Sequence, residues 1–247
     1  MAVELIKTGT PGLDHILKGG LRKNSSILVT GAPGSGKTLL ALQFIYYGAK
    51  DQNENGIFIT TEESLEVINQ SAKNLGMDLE PMISKGKIFF VQKPLVSLKG
   101  GIASIKGMIE AIKKNNIKRV ALDSLVFFDY LYPRFNGNKI EFRRQVLIFI
   151  KEMRKSGVTF MAVSEKPVTD FDKLKFDVMD FVFEGIIILS RIRKGSYFER
   201  VITVVKVRGQ DHSLDAYPLS IGPEGLKVLY DQTPFSLVEK EENSGSK

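Results

Sequence analysis

Apolar residues fall in short unbroken runs separated by amphipathic stretches over the first three quarters of the chain, and in longer strand-like stretches after that. Residues 26–30, 56–60, 87–91, 119–122 and 158–163 are each dominated by Ile, Leu, Val, Phe, Met or Ala. Runs of this length without alternation predict strands buried on both faces, as in a parallel sheet. Between them the spacing turns helical. Leu39, Leu40, Gln43, Phe44 and Tyr47 recur on one face, residues 102–114 read as a helix, and so do residues 140–155, with Phe142, Val146, Phe149, Ile150 and Met153 as the apolar stripe. Strand and helix in alternation predict an α/β fold, a mostly parallel sheet covered on both sides. From residue 186 the grammar changes. Residues 186–189, 191–197, 200–206, 219–221 and 226–230 have no helical segment between them, and Lys194-Gly195-Ser196 has the composition of a hairpin turn. Antiparallel strands are therefore expected to extend the sheet. Residues 1–235 are expected to form one domain and 236–247 a disordered polar tail. No internal repeat is present.

Composition narrows the chemistry. A chain of 247 residues with 43% hydrophobic and 26% charged content suits one large soluble domain. No stretch of 18 apolar residues and no N-terminal apolar targeting segment is found, which predicts a cytoplasmic protein without a membrane span. The absence of cysteine excludes disulfides, thiolate metal sites, iron–sulfur clusters and thiol nucleophiles, and His15 and His212 are too few for a histidine-rich metal site. The net charge of +7 admits an acidic partner, and Arg191, Arg193, Lys194, Arg200, Lys206 and Arg208 gather in one segment against Glu199 alone.

The segment Gly31-Ala32-Pro33-Gly34-Ser35-Gly36-Lys37-Thr38 fits G-x-x-x-x-G-K-[ST]. Its context is strand before and helix after, which aims a helix N-terminus at an anion. The pattern predicts a phosphate loop for ATP or ADP with magnesium. Residues 31–38 and Leu39 cradle the nucleotide, Lys37 reaches the β- and γ-phosphates, and the Thr38 hydroxyl ligates the ion. ATP over GTP is not decided by this motif.

Two acidic positions stand at the ends of predicted strands. Asp123 follows the run 119–122, where it suits a second ligand for magnesium; the alternative is a helix N-cap. Glu62 and Glu63 close the run 56–61, where one could orient the attacking water; the alternative is a charge pair in the first turn of a helix.

These motifs together resemble the KaiC-like branch of the RecA superfamily of ATPases. The resemblance runs through Thr8-Gly9-Thr10-Pro11-Gly12-Leu13-Asp14, Gly19-Gly20-Leu21, the phosphate loop, Thr60-Thr61-Glu62-Glu63, Leu122-Asp123-Ser124, Ser164-Glu165 and Lys206-Val207-Arg208-Gly209. It implies a RecA-like P-loop fold, a catalytic role for Glu62 or Glu63, and a trans-acting Lys206 and Arg208 that reach the γ-phosphate of a neighbouring subunit. It also implies a homo-oligomeric ring, usually a hexamer, whose cycle moves subunits or a bound protein client, with a slow nucleotide-gated assembly switch as an alternative; the residue-level alternative for Lys206 and Arg208 is two solvated strand residues. Gly222-Pro223-Glu224-Gly225 departs from the Thr-Asp pair that relatives carry near the base. A recombinase-like DNA function is the rival, with Phe127, Phe128, Tyr130, Tyr132, Arg134, Phe135 and Lys139 as a loop able to stack bases or, alternatively, to pack internally. The second loop, Lys166, Lys173 and Lys175 against Glu165, Asp170, Asp172 and Asp177, offers no net positive funnel.

Overall fold

In the computed structural model the described residues are 4–235, apart from 62, 93–104, 129–138, 166–180 and 195. The predicted tail and most of both candidate DNA-contacting loops lie outside them.

The five apolar runs form strands as their composition requires: β3 (Ser26–Gly31), β4 (Asn55–Thr60), β5 (Ile88–Gln92), β6 (Ile117–Asp123) and β7 (Thr159–Glu165). They pair in parallel, and β8 (Gly185–Lys194) runs parallel to β3. β9 (Tyr197–Val207), β10 (Ala216–Gly222) and β11 (Gly225–Val228) then add antiparallel. The nine strands stand in the order β11-β10-β9-β8-β3-β7-β6-β4-β5, which makes β5 an edge strand, and of its residues only Ile88 is buried, against the expectation of burial on both faces. A small antiparallel pair, β1 (Leu5–Ile6) with β2 (Leu21–Arg22), forms separately around α1 (Leu13–Ile16).

The two faces of the sheet bury different helices. One face packs α2 (Lys37–Asp51), whose Leu40, Phe44 and Ile45 are fully buried together with Val29, Phe58, Ile187 and Ile202. α3 (Leu65–Lys73) and α4 (Glu80–Ser84) lie on the same side through Ile68, Ala72 and Met82. The opposite face packs α5 (Ile105–Lys114) and α6 (Lys139–Lys155) through Met108, Ile112, Val146, Phe149 and Met153. Phe127 and Phe128 are buried there in a chain of edge-to-face rings with Phe142, Phe149 and Phe160, so these two pack internally.

α3 and α4 had no expectation attached to them. α3 is short, with a nearly neutral composition, and its signal is local. The Ser64 hydroxyl accepts from the Val67 N–H at 3.4 Å, capping the helix one residue after Glu63.

Under α2 lies a fully buried guanidinium. Arg119 Nε donates to Glu54 at 2.6 Å, and Nη1 donates to the carbonyls of Lys7 (2.8 Å) and Phe44 (3.0 Å). Its plane sits 4.8 Å from the Phe44 ring centre. Gly48 makes room for it, because a Cβ there would collide with Arg119 Cδ and Nε.

Candidate active site

The register of the sheet brings the sequence motifs to one edge. Gly31 is level with Glu165, Asp123 with Val163, and Thr60 with Asp123. All are last or nearly last residues of parallel strands, the edge at which ligands bind in this architecture. Residues 32–36 leave β3 there and turn into α2, with Gly36 as its N-cap at φ +106°, a conformation that favours glycine. The cap has no side-chain hydrogen bond, so the first-turn N–H groups of α2 point at open space.

That space is a cavity of about 400 Å³. Pro33, Gly34, Gly36, Lys37 and Thr38 close one end, and Glu63, Asp123, Ser124 and Glu165 line the floor. The other end is mostly apolar, built from Leu39 and Leu42 on α2, Ile68 and Ala72 with Ser71 on α3, and Leu75 in the turn after it. Lys37 is 6% exposed, and its Nζ donates to the Ala32 carbonyl at 3.0 Å, folded back over its own loop. The Ser35 and Ser124 hydroxyls are buried without a protein partner, as are those of Thr30 and Thr61 at the ends of β3 and β4. Of these, the Ser124 hydroxyl lines the cavity, where a polar ligand would satisfy it.

Glu63 sits before the Ser64 cap, outside α3, and its N–H donates to the Thr60 hydroxyl at 3.3 Å. It is therefore not a first-turn helix charge; Glu66 holds that position. Glu62 lies outside the described residues. Asp123 ends β6 in register with both neighbouring strands, with its Cα level with Thr60, rather than capping a helix. Thr38 and Asp123 share the cavity, an oxygen pair of the type magnesium takes alongside phosphate oxygens. Among the described residues no group of three or more His, Asp or Glu gathers to hold an ion without such a ligand.

The cationic segment divides in two. β8 and β9 continue past the end of β3, so Arg191, level with Arg200, stands beside the phosphate loop, its guanidinium near Gly34. That neighbour was invisible to motif reading, because hairpin register alone puts it there. Lys206 and Arg208 lie at the opposite edge. Gly31 is level with Leu189 and Ile202, whereas Ile27, at the start of β3, is level with Gly185 and Val207. Lys206 is level with Leu28 through Ile186, and Arg208 lies one residue beyond Val207, so at about 3.3 Å per residue the two are roughly 10 and 17 Å from Gly31 along the sheet, beyond the reach of either side chain. A bulge at Val205 puts Lys206 level with Ile186 while Val204 is level with Ile187, which moves Lys206 off the face that Val204 buries. The Lys206 ammonium lies 5.8 Å from the Phe181 ring centre, and Arg208 Nη2 donates to the Phe181 carbonyl at 3.2 Å.

A glycine-rich loop feeding a buried helix, with strand-end acids around one cavity on a mostly parallel sheet, defines a RecA-type P-loop nucleotide-binding protein. The comparisons make the class specific. The profile described as "ATPase: KaiC" matches residues 6–233. The chain belongs to the KaiC family of ATPases. It is 32% identical over 234 residues to the circadian clock oscillator protein KaiC of Picosynechococcus, covering 92% of this chain and 45% of that protein. With its namesake in Prochlorococcus marinus it shares 33% identity over 237 residues, covering 93% and 46%. The chain thus spans a little under half the length of these relatives. A crystal structure of a KaiC-like protein from Pyrococcus horikoshii superposes with a TM-score of 0.78 at 30% identity, covering 92% of this chain and 99% of that one. No helix among the described residues is long and apolar enough to cross a membrane.

Proposed function

We propose that this chain binds and hydrolyses ATP with magnesium in a homo-oligomeric ring, each nucleotide lying between two copies, and uses the cycle to change the conformation or assembly of a protein client. The observation that carries the reading is the separation of Lys206 and Arg208 from the phosphate loop of their own chain. The same residues on a neighbouring copy meet that loop if copies pack amino edge to carboxyl edge, and a repeated head-to-tail contact closes into a ring, a hexamer in the usual form.

In this reading the amides of residues 34–38 and the α2 N-terminus hold the phosphates, and the apolar end between α2 and α3 takes the base. Lys37 exchanges the Ala32 carbonyl for the β- and γ-phosphates. Thr38 and Asp123 hold the magnesium ion, which when bound neutralises phosphate charge. Glu63, with Glu62, orients the attacking water, and Lys206 and Arg208 of the next copy balance charge developing on the transferred group.

The test is steady-state ATP hydrolysis, with sizing of the assembly, for the wild type and Glu62→Gln/Glu63→Gln, each with and without single-stranded DNA. DNA-independent turnover that disappears in the variant supports the reading. Stimulation by DNA would replace it with a recombinase-like function. Nucleotide-driven assembly with equal, very slow turnover in both proteins would replace it with an assembly switch.

A further inference from the structure

The chain leaving β9 is fastened more tightly than a strand running out to solvent requires. The Arg208 N–H donates to the Glu184 carbonyl at 2.9 Å, and the Arg208 carbonyl accepts from Arg22 Nη1 at 2.7 Å. Two residues on, Gln210 Nε2 donates to the carbonyls of Leu17 and Gly20, each at 2.6 Å, and the Ser213 N–H donates to the Ile16 carbonyl at 2.8 Å. Every one of these partners except Glu184 belongs to the segment that runs from α1 to β2. That segment is itself fixed by apolar burial, with Leu13, Ile16, Leu17 and Leu21 all without exposed surface. It does not line the cavity at the phosphate loop. The opening motif around Gly19-Gly20-Leu21 and the Lys206–Arg208 motif are far apart in sequence, and here they form one rigid block.

From this block we infer that Arg22 and Gln210 are positioning residues for the Lys206–Arg208 pair, and that the α1–β2 segment is the base against which the pair is set for presentation to a neighbouring copy. The inference rests on the trans-acting reading of that pair. Its physical content is pre-organisation. The Val205 bulge selects the face on which Lys206 emerges, Arg22 and Gln210 fix the backbone on either side of Gly209, and the Phe181 carbonyl holds the Arg208 guanidinium before a phosphate is available. An unfastened turn would leave the same two cations mobile, and misplacement by about 1 Å is enough to cost on the order of a hundredfold in rate.

The experiment compares Gln210→Leu and Arg22→Met with Arg208→Ala, measuring kcat, KM for ATP, nucleotide affinity, ring assembly and thermal stability. Both positioning variants are expected to lower kcat by about tenfold to a hundredfold with KM and assembly unchanged, and Arg22→Lys, which keeps a donor, is expected to recover part of the loss. The site of action is then read by mixing. Glu62→Gln/Glu63→Gln copies carry an intact pair but no catalytic glutamate, so co-assembly with Gln210→Leu copies should give turnover above either parent. No gain on mixing overturns the inference, since the defect would then lie in the variant's own nucleotide site. Normal turnover in both Gln210→Leu and Arg22→Met, with Arg208→Ala impaired, also overturns it while leaving the trans reading intact. Normal turnover in Arg208→Ala removes the trans reading itself. Should Gln210→Leu not fold, Arg22→Met, which loses one hydrogen bond at an exposed site, decides the matter alone.

Discussion

The two edges of the central sheet are built from similar residue types and use them in opposite ways. At the carboxyl edge the Ser124 hydroxyl is buried with no protein partner and lines the cavity below the α2 N-terminus, and the buried hydroxyls of Thr30, Ser35 and Thr61 close to the strand ends are likewise unpartnered. At the amino edge the largest polar group, Arg119, donates to Glu54, Lys7 and Phe44, and the atoms left over, such as its Nη2 and Gln210 Oε1, belong to side chains that bond through another atom. Buried polar groups without partners are costly, and one that lines a cavity, as the Ser124 hydroxyl does, is placed to be satisfied by a ligand. One edge is therefore kept for a ligand and the other for holding the chain together. Substitutions at the first should cost turnover with little stability, and substitutions at the second the reverse.

Arg208→Ala is the sharpest way to break that division, because Arg208 stands at the amino edge yet is assigned to catalysis. It makes one side-chain hydrogen bond, to the exposed Phe181, so its loss should leave the melting temperature essentially unchanged. Turnover should fall by about 10³-fold or more, the scale of a lost arginine finger, with nucleotide binding retained. Hydrolysis assays beside thermal melts check both halves. A large drop in melting temperature with normal turnover would return Arg208 to the structural edge.

Arg119→Met should show the opposite profile. Methionine fills the space beside Gly48 and Phe44 but leaves the part-buried Glu54 without its cation and removes the donor that Arg119 offers to the Lys7 carbonyl. Removing one partner of a fully buried pair costs about 3–5 kcal/mol, and the lower end of that range applies here because Glu54 keeps contact with solvent. For a chain of this size that is a fall of roughly 10 °C in melting temperature. The kcat of the surviving folded protein should stay near wild type, and differential scanning calorimetry with activity measured well below the transition tests it.

Local pattern made the strands and the phosphate loop legible, because an apolar run or a glycine-rich turn fixes its own conformation. The five strands, α2, the helical stripe of Phe142 to Met153 and an antiparallel pairing that reaches Lys194 and Tyr197 stand where the pattern put them. What periodicity could not supply was register. The split of the cationic segment into Arg191 beside Gly34 and Lys206 at the far edge depends on which β8 residue faces which β9 residue, and on one extra residue at Val205. The same holds for Gln210 and Arg22. A glutamine and an arginine in turn-rich segments carry no signal of their own, and their meaning comes from carbonyls nearly 200 positions away. α3 was missed for a different reason. The inward face of α3 is Leu65, Ile68 and Ala72 with the polar Asn69 among them, and Val67 faces solvent, so the apolar period is short and interrupted.

A substitution of intermediate size probes where the two edges communicate. Gln43 on α2 is fully buried and clasps β11, its Oε1 accepting from the Leu226 N–H at 2.6 Å and its Nε2 donating to the Leu226 carbonyl at 3.1 Å. Leu226 in turn lies against Gly36 of the phosphate loop. Gln43→Leu preserves volume and strips both bonds, with an expected cost of about 1–3 kcal/mol. If the clasp also holds the loop in shape, nucleotide affinity should weaken severalfold. Stability lost with unchanged affinity would show that the edges are independent through α2.

The smallest expected effect belongs to Asp14, beside the Arg119 cluster. Burial pushes its carboxyl above the ordinary value of 3.8, opposed by the Thr8 N–H and by the charges of Lys7 and Arg119. A carboxyl whose folded value is raised binds its proton more tightly in the folded state, so its contribution to stability is present below about 3.8 and is lost as pH rises through the folded value. Asp14→Asn keeps an oxygen for the Thr8 N–H and never charges. The variant should therefore melt above the wild type at pH 7, by at most about 2 °C given how exposed the group remains, and the difference should shrink toward zero as pH falls to about 4. Thermal melts across that range decide it. A variant that melts lower than the wild type at pH 7 would mean that attraction to Lys7 and Arg119 outweighs burial, and that the amino edge uses Asp14 as a counter-ion after all.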